Sequence, residues 1–448
     1  MTDLLAARTQ MALSLGFHII FAVIGIGMPA LMVLAERKWL TTGDPVWLDL
    51  AKRWSKGTAI LFAVGAVSGT VLSLELGLLW PGFMQFAGAI IGMPFSLEGF
   101  AFFTEAIFLG VYLYGWNRIS PRAHWWSGVA VAASGAVSGI FVVIANAWMN
   151  APRGFTVVDG VPTDIDPLLA MTTPAAIPQT LHMTLAAYAG TGFAVAGIHA
   201  FFLRRQGGRS AFHRKALGIA LRMAIPAALL QPLSGDLSAK AVARLQPAKL
   251  AAMEGQFETE RRAPLRIGGW PDEASATTRW SLEVPAALSI LAFGDPNAEV
   301  QGLDRVPRED WPPVAITHVA FQVMVGLGTY MALVSLWALW RRWRRRDLAS
   351  DRWLLLALVI GAPMGFIATE AGWVVTEVGR QPWIVQGVLR TAQAVTPMPG
   401  LIVPFLAFTV LYLFLGVIVA YLLMRQFAVA PAVTGTHEGA TPSAGVPA

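Results

Sequence analysis

The 448 residues include no cysteine, and only 13% of them carry charge. The first absence removes disulfides, thiolate-held iron–sulfur clusters, CxxCH haem attachment and thiolate copper sites. Any redox metal must therefore be held by His, Met, Glu or Asp. The second absence is large, since soluble domains carry roughly 25% charged residues. In place of charge stands apolar character, at 55% of the chain. The apolar runs are too long for barrel strands, and lipid admits only helices or closed barrels. The sequence predicts an all-α, polytopic membrane helical bundle. No cleavable signal is predicted, because the first apolar run is itself long enough to span.

Runs of about 20 apolar residues fall near 11–35, 54–78, 95–117, 124–149, 179–203, 215–236, 315–340, 353–377 and 400–425, which predicts about nine transmembrane helices. The expected organisation is six helices over 1–236, one long polar loop over 237–314, three helices over 315–427, and a disordered tail over 428–448 rich in Ala, Gly, Pro and Thr. The connections alternate in charge. Arg37, Lys38, Lys52 and Arg53 mark the first; the next, 79–94, has no Lys or Arg. Arg118 and Arg122 mark the third, Arg204 to Lys215 the fifth, and "RRWRRR" (Arg341 to Arg346) the seventh. By the positive-inside rule the N-terminus and the long loop lie outside, and the C-terminus is cytoplasmic. The net charge of +6 is a topology signal and implies no nucleic acid.

Among the histidines, His124, His199, His213 and His318 lie near span ends and read as interfacial residues, and His437 lies in the tail. His18 and His182 lie deeper. His18 is about seven residues into span one, roughly 10 Å at the helical rise. Met324 lies at comparable depth in span seven. Glu370, Trp373 and Glu377 share one face of span eight, at i, i+3 and i+7. Glu98 and Glu105 share one face of span three. Candidate ligands from five helices thus stand in the outer half of the membrane. A His–Met pair suits a low-spin electron-transfer haem, and the sequence has no histidine trio suited to a copper centre beside a haem. Intramembrane carboxylates also suit a secondary transporter, and a haem-free structural subunit is a third reading.

The segment "GWVVTEVGRQPW" (Gly372 to Trp383) resembles the GWxxxExGRQPW signature of subunit I of the cytochrome bd-type quinol oxidases. "SLEGFAFFTEAIFLGVYLYGW", "VIANAWMNAP", "LHMTLAAYAG" and "LQPAKLAAMEGQFET" are similar to four further blocks of that family, in the same order. The resemblance implies that His182 and Met324 are axial ligands of a low-spin haem b, and that His18 and Glu377 serve two high-spin haems. It implies that Glu98, Glu105 and Ser138 belong to haem ligation and proton delivery, and that Trp373 lies between haems. Arg8 and Arg380 would neutralise haem propionates. Lys249 and Glu254 would bind quinol on the external loop. Gln322 stands where many members carry Arg. The short loop is similar to that of the cyanide-insensitive oxidases. The implied cofactors are two haem b and one haem d, or a third haem b in its place. The implied substrates are ubiquinol or menaquinol and oxygen. The implied partners are subunit II of a membrane heterodimer and, as an option, a small accessory subunit. The implied location is the bacterial cell inner membrane, where the enzyme would generate a proton gradient without pumping.

Overall fold

The computed structural model describes residues 1–428. Apart from Ala428, the tail expected over 428–448, with His437, lies outside the described residues. The helices are α1 (Asp3–Thr42), α2 (Pro45–Leu79), α3 (Pro81–Tyr114), α4 (Pro121–Asn150), α5 (Pro167–Met171), α6 (Ala176–Arg205), α7 (Ala211–Leu245), α8 (Pro247–Glu254), α9 (Ala287–Phe293), α10 (Val314–Trp343), α11 (Arg352–Gly361), α12 (Met364–Val378), α13 (Thr391–Ala394) and α14 (Ile402–Ala428). Among the described residues nine helical segments are long and apolar enough to cross a membrane, with α11 and α12 counted as one. The all-α polytopic expectation holds.

Local signals set the helix starts. Asp44, Ser120, Ser210 and Asp351 each accept a backbone N–H of the turn that follows, and Pro opens α2, α3, α4 and α8. The first two helices start at Asp3 and Pro45, ahead of the expected 11 and 54, and three further boundaries differ from the sequence reading. The connection expected over 79–94 is mostly helix: α3 starts at Pro81 and carries Pro94 within it. Proline lacks an N–H but does not by itself end a helix whose face is packed. Phe83, Ile90 and Ile91 of this added stretch are buried in a core with Trp148 and Val385. The sixth span runs on to Leu245, past the expected 236. The eighth is interrupted at Ala362–Pro363, between α11 and α12.

Helices α1–α4 pack as one group, and α6, α7, α10 and α12 as a second; α1 lies against α6 and joins them. Small residues bring α6 and α12 together. A Cβ placed on Gly365 would stand 2.3 Å from the Gly190 Cα, so the two backbones touch there. The segment between α7 and α10 is ordered by three short antiparallel pairs, 260–261 with 299–300, 265–267 with 282–284, and 270–272 with 277–279. Within it α8 is buried from Lys249 to Glu254. It ends at Gly255, whose φ of +62° is the left-handed region that favours glycine.

Candidate functional site

His182 on α6 and Met324 on α10 line one cavity of about 1080 Å³. That exceeds the range of about 300–1,000 Å³ usual for a small-molecule pocket. The Ser234 hydroxyl donates to the Gln231 carbonyl at 2.9 Å, so its single proton is committed there. With that proton turned to the carbonyl, His182 Nδ1, 2.9 Å from Ser234 Oγ, is the donor and Nε2 keeps its lone pair, with the Gln231 amide 3.3 Å from both ring nitrogens. His18 on α1 repeats the arrangement. The Ser68 hydroxyl turns to the carbonyls of Val64 and Gly65, at 3.0 and 3.1 Å. His18 Nδ1 donates to Ser68 Oγ at 3.0 Å. A histidine held this way is prepared to ligate a metal through its other nitrogen.

Glycines leave room at these side chains. A Cβ at Gly372 would lie 3.0 Å from the Met324 sulfur, and one at Gly69 would lie 3.0 Å from His18 Cε1. Trp373 lines the cavity and also packs on the cluster of Ile19, Val23 and Ile26 from α1. It therefore stands between the cavity and the helix that carries His18.

The same cavity reaches Lys249 and Glu254 of α8. Taken alone, two such residues five apart on a polar loop would be a solvated pair; here both are buried, and they make no bond to each other. Lys249 Nζ donates to Asn150 Oδ1 at 2.5 Å and to the Thr376 carbonyl at 3.1 Å. Burial, reinforced by nearby Arg380, pushes its ammonium well below the usual lysine range, with Glu377 acting in the opposite sense. Burial raises the Glu254 carboxyl to about 8, opposed by Arg266. One Glu254 oxygen is buried with no hydrogen-bond partner and is available to a ligand.

A chain of hydrogen bonds leads from Lys249 to the signature segment. Asn150 Nδ2 donates to Asn146 Oδ1 at 3.0 Å, and Asn146 Nδ2 in turn donates to Glu377. Arg380 donates to the other Glu377 oxygen. The Arg380 side chain is 1% exposed, yet its Nε and Nη1 are without partners. A buried guanidinium with free donors fits an acidic group of a bound molecule. Glu98 on α3 accepts from the Ser138 hydroxyl on α4 at 3.1 Å. Glu105, two turns along α3, faces Gly135 of α4, where a Cβ would lie 3.0 Å from its carboxylate. Arg8, half-buried near the start of α1, has no ion pair among the described residues.

Several histidines depart from the interfacial reading. His318 is buried, with Nδ1 2.8 Å from the Met253 carbonyl and Nε2 3.0 Å from that of Gly268. It ties α10 to α8 and to the loop. His199 and His213 face each other through their Nδ1 atoms at 2.8 Å, and His124 is paired with Glu36 at 2.7 Å. Gln322 donates to the Arg266 carbonyl and accepts from the Gly268 N–H, so it anchors the loop two residues before Met324.

Sequence reasoning overlooked Ser68, Ser234, Asn146 and Asn150 as supporting groups. It also missed Glu75, buried on α2, which accepts from Gln10 and Ser14 at 2.9 Å each. Its signal was present, since an ionisable residue inside an apolar run is a functional candidate by default. Among the described residues no group of three or more His, Asp or Glu could hold a bare metal ion. Single ligands beside a roomy cavity fit iron already held by a porphyrin.

The chain matches the family model for cytochrome bd terminal oxidase subunit I over residues 6–431. It is 38% identical over 433 residues to a Bacillus subtilis (strain 168) protein assigned as a cytochrome bd menaquinol oxidase subunit I, covering 95% of this chain and 97% of the relative. It is 32% identical over 444 residues to the cytochrome bd ubiquinol oxidase subunit 1 of the same organism, covering 95% and 94%. A solved bd oxidase structure from Geobacillus thermodenitrificans superposes with a TM-score of 0.90 at 40% identity, covering 96% of this chain and 99% of that one.

Proposed function

The chain belongs to the cytochrome bd terminal oxidase subunit I family, and on that premise we propose that it binds quinol for oxidation at one end of a cavity whose other end would hold the haem that takes the electrons. As a member it is a multi-pass membrane oxidoreductase of the quinol oxidase class, and its family carries haem. The observation that carries the residue assignment is the cavity that joins Lys249 and Glu254 to His182 and Met324.

In this reading His182 Nε2 and the Met324 thioether hold a low-spin haem b. His18 and Glu377 hold the two high-spin haems, the oxygen site being haem d or a third haem b. Arg380 with its free donors, and Arg8, receive propionates. Haem supplies one-electron transfer and the reduction of oxygen to water. Glu254 accepts a quinol proton at a carboxyl already tuned to about 8. Lys249 orients the quinol oxygen, and Trp373 fills the space between the electron carriers. Glu98, Glu105 and Ser138 hold the protons that water formation consumes.

Residues 246–313, between α7 and α10, form the external quinol-binding segment, and the helices on either side of it form the haem-bearing bundle. The positive-inside rule, applied to the basic connections, supports an N-terminus outside and a C-terminus in the cytoplasm of a bacterial inner membrane. The relatives carry both ubiquinol and menaquinol in their names, and either headgroup suits this pair of residues. Subunit II completes the heterodimer. Quinol protons leave outward while water formation draws protons from the cytoplasm, so a gradient forms without pumping. In sealed vesicles, quinol-driven oxygen consumption is expected to release about one proton per electron on the outer side, because each quinol loses two of each. Oxygen consumption with no such release would contradict the proposed orientation.

A further inference from the structure

The inner end of the first helix group holds three buried titratable side chains that the mechanism above leaves unused. Glu36 near the end of α1 and Tyr112 in the last turn of α3 are 0% exposed, and His124 in the first turn of α4 is 2% exposed. His124 Nδ1 lies 2.7 Å from Glu36 Oε1, and Nε2 lies 2.8 Å from the Tyr112 carbonyl oxygen. The Tyr112 and Trp116 rings cover the imidazole, with centroids at 4.4 and 3.8 Å. A carbonyl cannot donate, so Nε2 carries a proton. A second proton occupies the Nδ1···Oε1 bond whichever partner formally owns it. The pair therefore holds one proton that can be passed on. The other Glu36 oxygen and the Tyr112 hydroxyl are buried with no partner but each other, close enough to interact though without ideal hydrogen-bond geometry. Burying such groups purely for packing is poor design, because apolar residues of similar volume serve as well or better.

The column above them leads to the proton-handling carboxylates. Tyr112, Glu105 and Glu98 recur every seven residues on α3 and share one face. The rise of the helix sets them roughly 10 Å apart. The facing side of α4 is cut to fit. A Cβ at Gly128 would lie 2.7 Å from the Tyr112 ring and one at Gly135 would lie 3.0 Å from Glu105, while Ser138 donates to Glu98. One residue before Gly135 on α4, the buried Ser134 hydroxyl donates to the Ala130 carbonyl at 2.7 Å. At the inner surface Lys52 and Arg37 lie over Trp116 and Trp125 beside this group.

We propose that the Glu36–His124 pair, with Tyr112, is the cytoplasmic loading end of the proton route to Glu105 and Glu98. A proton from the cytoplasm joins the pair as the one already there moves on, through the Tyr112 hydroxyl and intervening water, to the Glu105 carboxylate. No electron moves and no bond other than O–H and N–H changes. The inference rests on the oxidase reading and extends it to the inner face.

The test uses the complete two-subunit oxidase in sealed vesicles with Glu36→Gln, Glu36→Asp and Tyr112→Phe. Glu36→Gln is expected to keep the haem spectrum and to slow proton uptake from the cytoplasmic side at least ~10-fold, with Glu36→Asp restoring most of the rate. Without turnover, Glu36→Gln is also expected to lose an infrared carboxyl band, of the acid or of the carboxylate, that shifts in deuterium oxide. An intact spectrum with uptake at the unsubstituted rate and the infrared band retained would overturn the proposal. If Glu36→Gln does not assemble, Tyr112→Phe decides: slowed uptake supports the route and unchanged uptake overturns it. Failure of the unsubstituted protein to consume oxygen with quinol would instead sink the oxidase reading beneath it.

Discussion

His182→Ala is expected to remove the low-spin haem absorbance from the reduced-minus-oxidised spectrum and to lower quinol-driven oxygen consumption by at least ~100-fold. Losing only a partner of a metal-ligating histidine costs about 10–100-fold, and this substitution removes the ligand itself. The prediction follows from how completely the ring is prepared. With the Ser234 hydroxyl turned to the Gln231 carbonyl, the imidazole donates through Nδ1 and offers Nε2, which the Gln231 amide approaches at 3.3 Å, to the cavity. Met324 stands in the same cavity, against Gly372. Met324→Leu keeps the volume and deletes the sulfur, so it is expected to shift the haem potential and spectrum while the helices stay packed. Retention of a normal low-spin band in both variants would remove these residues from the ligand set.

Glu254→Gln is the second large effect. Burial holds the Glu254 carboxyl at about 8, far above its ordinary 4.5. If its carboxylate accepts the quinol proton, the rate of quinol oxidation rises as pH climbs through about 8 and levels off above it. Glutamine cannot accept that proton, so the pH-dependent limb should vanish and the rate should fall about 100-fold or more. The same shift bears on stability with the opposite sign of benefit. Between 4.5 and about 8 the folded state binds this proton more tightly than the unfolded chain does, so stability falls as pH rises through that window. Glu254→Gln should remove that fall. Thermal unfolding followed at several pH values measures it, and an unchanged pH slope would mean that the carboxyl is not buried as described.

Much of this was legible in the sequence because lipid is a strict solvent. A chain with so few charges must run as helices, and long apolar stretches announce each one. The shared face of Trp373 and Glu377 followed from the helical period alone, whereas α1 starts at Asp3, so His18 stands further along its helix than the seven residues expected. Other features were invisible for physical reasons. Pro94 looked like the end of a connection, yet the packed face of α3 carries the helix through it. Lys249 and Glu254 sit on a polar segment whose composition says nothing of burial; the short strand pairs, His318 and the apolar contacts of Leu250, Ala251 and Ala252 hold α8 against the bundle. Ser68 and Ser234 are ordinary small residues in sequence. Their role depends on where their single proton points, which only neighbouring carbonyls decide. The chain from Lys249 through Asn150 and Asn146 to Glu377 joins residues from three separate parts of the sequence.

The central claim is that one cavity connects the quinol pair to a haem held by His182 and Met324. Its most direct test is the anaerobic addition of quinol to the purified oxidase with the visible spectrum recorded. The account predicts that quinol reduces a low-spin haem b in the unsubstituted protein, and that this band is absent from the His182→Ala variant. A colourless protein, or a low-spin haem that quinol reduces equally well in both, would contradict it.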